Sequence, residues 1–297
     1  LLDVQYSTVL NELGGIKDDV FVYRTDEQEF MVVTNAVNAE KIYNWFKQHA
    51  NDEVEVKDIT STTVMLALQG PKANQVLQRL TDFKLESLRR FKAAFMEVAG
   101  LRLLVSRTGY TGEDGFELYL MDVPTSDPEK AEKLWEELIR AGKDFGIRPC
   151  GLGARNTTRL EAGYVLYGNE LTEEITPLEA KIPYAVKLDK GEFIGREVLA
   201  KQRETGLKRQ RIGLKMLERG VPRKGYRILK AGEEMGFVTS GTMSPLLNVG
   251  IAMGYAIPDV VLGERVEVEI RGKPRKAEVV GWPFYDPNKY GFRRKVA

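Results

Sequence analysis

Chemistry has few places to start in this chain, and the adjacent acids Asp18 and Asp19 are the first. They lie in GGIKDDVFVY, a strand-like run that follows Gly14-Gly15. Side chains alternate faces along a strand. Ile16, Asp18, Val20 and Val22 therefore share one face, and Lys17, Asp19, Phe21 and Tyr23 the other. Asp19 sits beside aromatic rings, and Tyr6 on the preceding strand joins them if the register allows. A carboxylate desolvated against rings has a raised pKa and can exchange protons near neutral pH. The plainer reading of the pair is two solvated acids close to a turn.

The second candidate is RTGYTGEDGFELYL. Glycines 109, 112 and 115 make a loop whose backbone can approach a ligand closely. On the following strand Phe116 and Leu118 face one way, Glu117 and Tyr119 the other. Glu113 and Asp114 read as turn acids. Glu117 stands out as a carboxylate inside an apolar strand, with a half-exposed strand position as its plain alternative. The third candidate is CGLGARNTTRLEAGYVLYGNE, where Arg155 and Arg159 are one helical turn apart. Two guanidiniums near a helix start can hold a carboxylate through paired hydrogen bonds. Two ordinary helix ion pairs, for example toward Glu161, fit the spacing equally well.

Other motifs fail. Gly151-Leu152-Gly153 begins like a dinucleotide fingerprint, but Asn156 fills the third glycine position. Gly220 and Gly225 have phosphate-loop spacing, but Tyr226 replaces the lysine. No G-x-S-x-G elbow occurs. The single histidine, His49, falls on a helix face near Trp45 and Phe46, which excludes a two-histidine zinc motif. The single cysteine, Cys150, excludes an internal disulfide framework and multi-cysteine metal sites. Without a nearby base it reads as a packed residue rather than a nucleophile. No metal is expected.

These candidates need elements to position them. The chain has 297 residues, enough for two or three domains. Lys plus Arg total 44 and Asp plus Glu 43, a net charge of +1. That balance gives no footprint for nucleic acid or an anionic membrane. No apolar run nears the ~20 residues of a membrane span. The single cysteine points to a reducing compartment.

Residues 1–35 read as a hairpin turning at Leu13-Gly14-Gly15, plus a strand over Phe30 to Thr34. Asn38 then caps a helix with Ile42, Trp45 and Phe46 on one face. VEVKDI and VMLALQG follow as strands, and Gly70-Pro71 opens a helix carrying Val76, Leu77 and Leu80. Two strands precede the glycine loop and one follows it. Asp127-Pro128 starts a helix that carries Leu134, Trp135 and Leu138 and stops at Gly146. RNTTRLEAG and REVLAKQRETG are further helices. After Gly206 strands dominate, and Val266, Val268 and Ile270 share one face. Helices and strands mix irregularly, so the class is α+β.

The segments NELGGIKDDVFVY, ALQGPKA, SRTGYTGEDGFELYL, CGLGARNTTRLEAGYVLYGNE, ITPLEA, FIGREVL, VTSGTMSPLLNVGIAMGY and PFYDPNKYG run in order along nearly the whole chain. Together they resemble the aminomethyltransferase family, the T protein of the glycine cleavage system. The resemblance implies a multi-domain, cloverleaf-like α+β fold with antiparallel sheets, followed by an all-β C-terminal domain. On this chain that divides into residues 1–57, the remainder of an N-terminal folate-binding domain, then 58–207, a second folate-binding region, and 208–297, a barrel-like domain. It also implies a further segment upstream of Leu1, with a Ser-His-Met stretch lining the site.

The implied activity is transfer of a one-carbon unit from an aminomethyl-lipoyl H protein to tetrahydrofolate. Ammonia is released and 5,10-methylenetetrahydrofolate forms. The implied partners are the lipoylated H protein and, indirectly, the P and L proteins. The implied compartment is the cytoplasm, or the mitochondrial matrix in a eukaryote. The family's key acid matches Asp19, and its folate contacts match Tyr6, Tyr23, Tyr110, Glu117, Arg155 and Tyr290. Asn156 stands where the family usually has aspartate, which implies a looser hold on Arg155. Folate-dependent demethylases of the same fold are the nearest rivals. A non-catalytic folate-binding relative is another, but its signature cysteine is absent from Lys190-Gly191-Glu192-Phe193-Ile194-Gly195-Arg196.

Overall fold

The computed structural model describes residues 1–124 and 126–294. The chain opens with β1 (Leu2–Leu10) and β2 (Ile16–Arg24), paired antiparallel. Asn11 closes the turn between them. Its Oδ1 accepts from the Leu13 and Gly15 amides at 3.0 and 2.9 Å. Gly14 takes φ +75°, a left-handed conformation that glycine adopts without steric cost. Gly15 is needed for another reason: a Cβ there would stand 1.7 Å from the Glu173 carbonyl oxygen. The turn fixes the register, with Tyr6 opposite Phe21 and Thr8 opposite Asp19. Residues directly opposite share a face, so Tyr6 and Asp19 are diagonal neighbours.

β3 (Phe30–Val33) pairs with β2, and α1 (Ala39–His49) follows. Asn38 stands at the α1 N-cap but makes no side-chain cap bond; its Nδ2 donates to Asp18 instead. The strand expected over residues 54–59 is absent. That stretch is irregular and largely exposed, and no neighbouring strand pairs with it. The next elements are β4 (Val64–Gln69), α2 (Ala73–Gln78), β5 (Lys92–Val98), β6 (Leu101–Ser106), β7 (Gly115–Leu120) and α3 (Glu129–Gly142). α3 ends at Gly142, short of the expected Gly146, which ends the following turn with φ +75°.

Seven strands form one sheet in the order β3-β2-β1-β5-β6-β7-β4. The sheet runs across the expected boundary at 57/58, since β1 pairs with both β2 and β5. α2 and α3 cover one side, and Leu77, Leu134, Phe116, Leu118 and Val105 lie in the core between. β7 is buried on both faces. Its even-numbered residues, Phe116, Leu118 and Leu120, join this core, which leaves Glu117 and Tyr119 on the opposite side.

α4 (Leu152–Glu161) and α5 (Arg196–Thr205) lead to the barrel. Its strands are β8 (Gln210–Met216), β9 (Arg227–Lys230), β10 (Glu233–Ser244), β11 (Val249–Ala256), β12 (Arg265–Ile270) and β13 (Lys273–Val280). They close in the order β10-β11-β8-β13-β12-β9. Val266 and Val268 point into the core, as their alternation requires. The α+β class and the all-β C-terminal unit are as expected from the sequence. The residues after Val280 depart from expectation, because they leave the barrel. The Phe284 amide bonds the Glu161 carbonyl and the Phe292 amide bonds the Gly112 carbonyl. This strap brings Phe292 to the glycine loop before β7.

Candidate active site

A cavity of 490 Å³ opens between the sheet, α4, the segments after it and the C-terminal strap. Asp19 and Glu117 both line it, from β2 and β7. The Asp19 carboxylate accepts from the Tyr6 hydroxyl at 3.0 Å and from the Asn35 amide at 2.9 Å. Burial, then the adjacent Asp18 charge, pushes its pKa up to about 6. Asp18 faces the other side of β2 and is fully buried. It accepts from the Asn35 main-chain and side-chain nitrogens at 3.0 and 2.8 Å and from Asn38 at 2.7 Å. Neither acid is a solvated turn residue. A buried carboxylate needs such donors, and Asp18 spends all of its contacts on structure.

Glu117 is 5% exposed. Its Oε2 accepts from Thr108 Oγ1 at 2.5 Å and more weakly from the Tyr119 hydroxyl at 3.4 Å. Burial raises its pKa, against the Thr108 hydrogen bond and the Arg155 charge. Thr108 is set in turn by Ser106, whose hydroxyl lies 2.8 Å from Thr108 Oγ1 and can donate to it while the Thr108 proton goes to Glu117. Arg155 lies over the Tyr110 ring, 4.6 Å from its centroid. Tyr110 stacks on Tyr164 at 5.9 Å, and its hydroxyl donates to the Val165 carbonyl. The site thus offers a proton-exchanging carboxylate and a buried acceptor carboxylate, joined by aromatic walls.

Six of the seven expected site residues line this cavity: Tyr6, Asp19, Tyr110, Glu117, Arg155 and Tyr290. Tyr23 is the correction. It is 0% exposed and lies behind Tyr119, the two hydroxyls 3.0 Å apart. Strand alternation put Tyr23 on the correct face, but four residues from Asp19 that face is already roofed by Tyr119. The paired-guanidinium idea fails as well. Arg159 is fully buried and spends its donors on Asn156 Oδ1, Glu170, Ser240 and the Tyr164 carbonyl. Asn156 therefore steadies Arg159, not Arg155. Glu161 pairs with neither arginine and accepts from Ser244 and the Leu246 amide.

The sequence reading missed Asn35, Tyr164, Tyr184, Arg211 and Trp282, all of which line the cavity. Tyr184 packs 6.0 Å from Tyr6. Arg211 is buried at the start of the barrel and lies 4.0 Å from the Trp282 ring centroid, with Nη1 donating to the Gly163 carbonyl. None of these carried a local signal, because each is brought in from a different element. Among the described residues no group of three or more His, Cys, Asp or Glu side chains gathers for a metal ion.

The GCVT N-terminal domain family matches residues 2–190, and the glycine cleavage T-protein C-terminal barrel domain family matches residues 209–286. The chain belongs to the aminomethyltransferases of the glycine cleavage system. An aminomethyltransferase of Geobacillus thermodenitrificans is 48% identical over 285 residues, which cover 95% of this chain and 76% of that protein. A probable aminomethyltransferase of Thermococcus kodakarensis is 43% identical over 315 residues, covering 98% and 79%. The crystal structure of glycine cleavage system aminomethyltransferase T from Bartonella henselae superposes with a TM-score of 0.85 at 34% identity. That match covers 95% of this chain and 76% of the other. The chain thus spans about three-quarters of the length of these relatives. The family match favours aminomethyl transfer over the demethylase reading.

Proposed function

We propose that this cavity binds tetrahydrofolate and receives the aminomethyl-lipoyl arm of the H protein, with Asp19 at the reacting end and Glu117 at the far end. The observation that carries the reading is Glu117. Its Oε2 is committed to Thr108 and Tyr119, and no protein donor reaches Oε1 among the described residues. A nearly buried carboxylate oxygen without a donor suits a ligand that brings two adjacent N–H groups, as a pterin edge does. Tyr6, Tyr110 and Tyr290 supply ring faces for an aromatic ligand. Arg155 next to Glu117 favours its charged form.

Tetrahydrofolate supplies two nucleophilic nitrogens when bound. In the overall exchange the methylene carbon loses its bonds to sulfur and to the amino nitrogen and gains two bonds to folate nitrogens. The two N–H protons leave with the thiol and the ammonia. Asp19 holds the position from which a proton at such a nitrogen can be taken. With a pKa of about 6 it is largely ionised at neutral pH, yet basic enough to accept. Tyr6 and Asn35 fix its two oxygens before substrate arrives, so little reorganisation is left for the reaction. The test is ammonia release from aminomethylated H protein, with and without tetrahydrofolate. Release that ignores tetrahydrofolate, or no calorimetric binding of it, would sink the reading.

A further inference from the structure

Asp18 and Asp19 leave β2 on opposite faces, yet both carboxylates end on one amide nitrogen. Asn35 Nδ2 is 2.8 Å from Asp18 Oδ1 and 2.9 Å from Asp19 Oδ1. It also lies 3.2 Å from the Asp19 carbonyl oxygen. The Asn35 main-chain nitrogen donates to Asp18 Oδ2 at 3.0 Å. This placement follows from register. Phe21 is opposite Val33, so two residues further along the pair Asn35 comes opposite Asp19. β3 has ended there, and the chain turns toward α1. Asn35 itself lines the cavity.

We propose that Asn35 is a positioning residue for the transfer reaction: its amide, anchored on Asp18, fixes the orientation of the Asp19 carboxylate. The proposal rests on the reading of Asp19 given above. An amide NH₂ has two protons, and here one can go to each acid. Asp19 is then held from two sides, by Tyr6 on Oδ2 and Asn35 on Oδ1. That fixes which lone pair faces a substrate, and misplacement of about 1 Å can cost about a hundredfold in rate. The groups facing Asp19 are Tyr6 from β1, Asp18 from β2, and Tyr110 and Tyr184 across the cavity. No cation pairs with it among the described residues. Asn35 therefore supplies one of the two side-chain donors, among the described residues, that stabilise the ionised form.

The experiment follows the single-turnover rate of ammonia release between about pH 5 and pH 8, at saturating tetrahydrofolate and aminomethylated H protein. Asp19→Asn identifies the acid limb and should abolish it. Asn35→Ala should slow transfer roughly tenfold to a hundredfold. It should move the acid limb to higher pH and change tetrahydrofolate affinity by less than about threefold. Asn38→Ala, which strips only Asp18 of a donor, should lower thermal stability without moving the limb upward. Asn35→Ser reads the same limb if Asn35→Ala folds poorly, and should fall between it and the unaltered protein. A limb that survives Asp19→Asn means Asp19 is not the titrating group, and both readings fall. A limb lost in Asp19→Asn but unmoved, at unchanged rate, in the Asn35 variants overturns the role of Asn35 alone. An upward shift in Asn38→Ala equal to that in Asn35→Ala also overturns it, because the effect would then be general loosening.

Discussion

The hydroxyl of Thr108 donates to Oε2 of the Glu117 carboxylate at 2.5 Å, while no protein donor among the described residues reaches Oε1. One short side chain in the glycine loop thereby orients an acid on the next strand. This arrangement ties the loop to the ligand it is expected to receive.

Glu117→Ala should weaken tetrahydrofolate binding by about 2–3 kcal/mol, roughly 30- to 150-fold in Kd. Thr108→Val should give a smaller loss, because it frees the carboxylate without deleting it. Isothermal calorimetry measures both. A loss for Thr108→Val as large as for Glu117→Ala would mean that Glu117 acts only as a structural acceptor.

Glu113 is not the inert turn acid its place in the sequence suggests. It accepts from the Gly291 amide at 3.1 Å and from Arg294 at 2.8 Å, and so latches the C-terminal strap that carries Tyr290. Glu113→Ala should speed hydrogen exchange at Gly291 and Phe292 and weaken folate binding less than Glu117→Ala does. Unchanged exchange at those amides would count against a latch.

Asp19→Asn should keep the fold and reduce turnover about 10²- to 10³-fold, the usual cost of losing one preorganised electrostatic contact. Asp18→Asn should behave oppositely. It replaces a fully buried carboxylate that takes three hydrogen bonds, so it should lower the melting temperature more than the rate per folded molecule. Melting curves beside single-turnover rates separate the two. A larger loss of rate in Asp18→Asn would show that the faces of β2 have been misassigned.

The raised pKa of Asp19 also carries a stability signature. Its pKa is about 6 in the fold and about 4 in the unfolded chain. Between these values the folded state binds more protons than the unfolded one. The contribution of this group therefore favours folding below about pH 4 and is lost as pH rises toward 6. Relative to the parent, Asp19→Asn should gain stability as pH is raised from 4 to 7. Denaturant titrations across that range check this. A parallel pH dependence in the two proteins would rule out the raised pKa.

Arg159 and Glu170, 2.8 Å apart and both fully buried, join α4 to the segment between α4 and α5. Ser240 and Thr239 on β10 complete the cluster. Arg159→Met leaves the Glu170 charge buried without its partner and should cost about 3–5 kcal/mol. The double variant Arg159→Met with Glu170→Gln should recover part of that loss in urea titrations. No recovery would mean that the arginine acts through packing alone.

Local rules made much of this molecule legible. A two-residue period marked β7 and placed Glu117 apart from Phe116 and Leu118, because alternation is a property of the strand itself. Gly14-Gly15 announced the β1–β2 hairpin, because few other residues can make that turn. The faces of Asp18 and Asp19 followed from parity alone. Parity says nothing, however, about what lies opposite a face. Tyr23 shares the side of Asp19 but is roofed by Tyr119, a residue 96 positions away in sequence. Asn156 serves Arg159 rather than Arg155 because the barrel residue Ser240 draws the Arg159 side chain inward. VEVKDI alternates like a strand but finds no partner, since backbone pairing is decided by a neighbour and not by the segment. The cavity is assembled from β1, β2, β7, α4, the barrel's first strand and the strap after its last. Only tertiary structure brings these together, because each wall depends on contacts between segments with no local signal for one another.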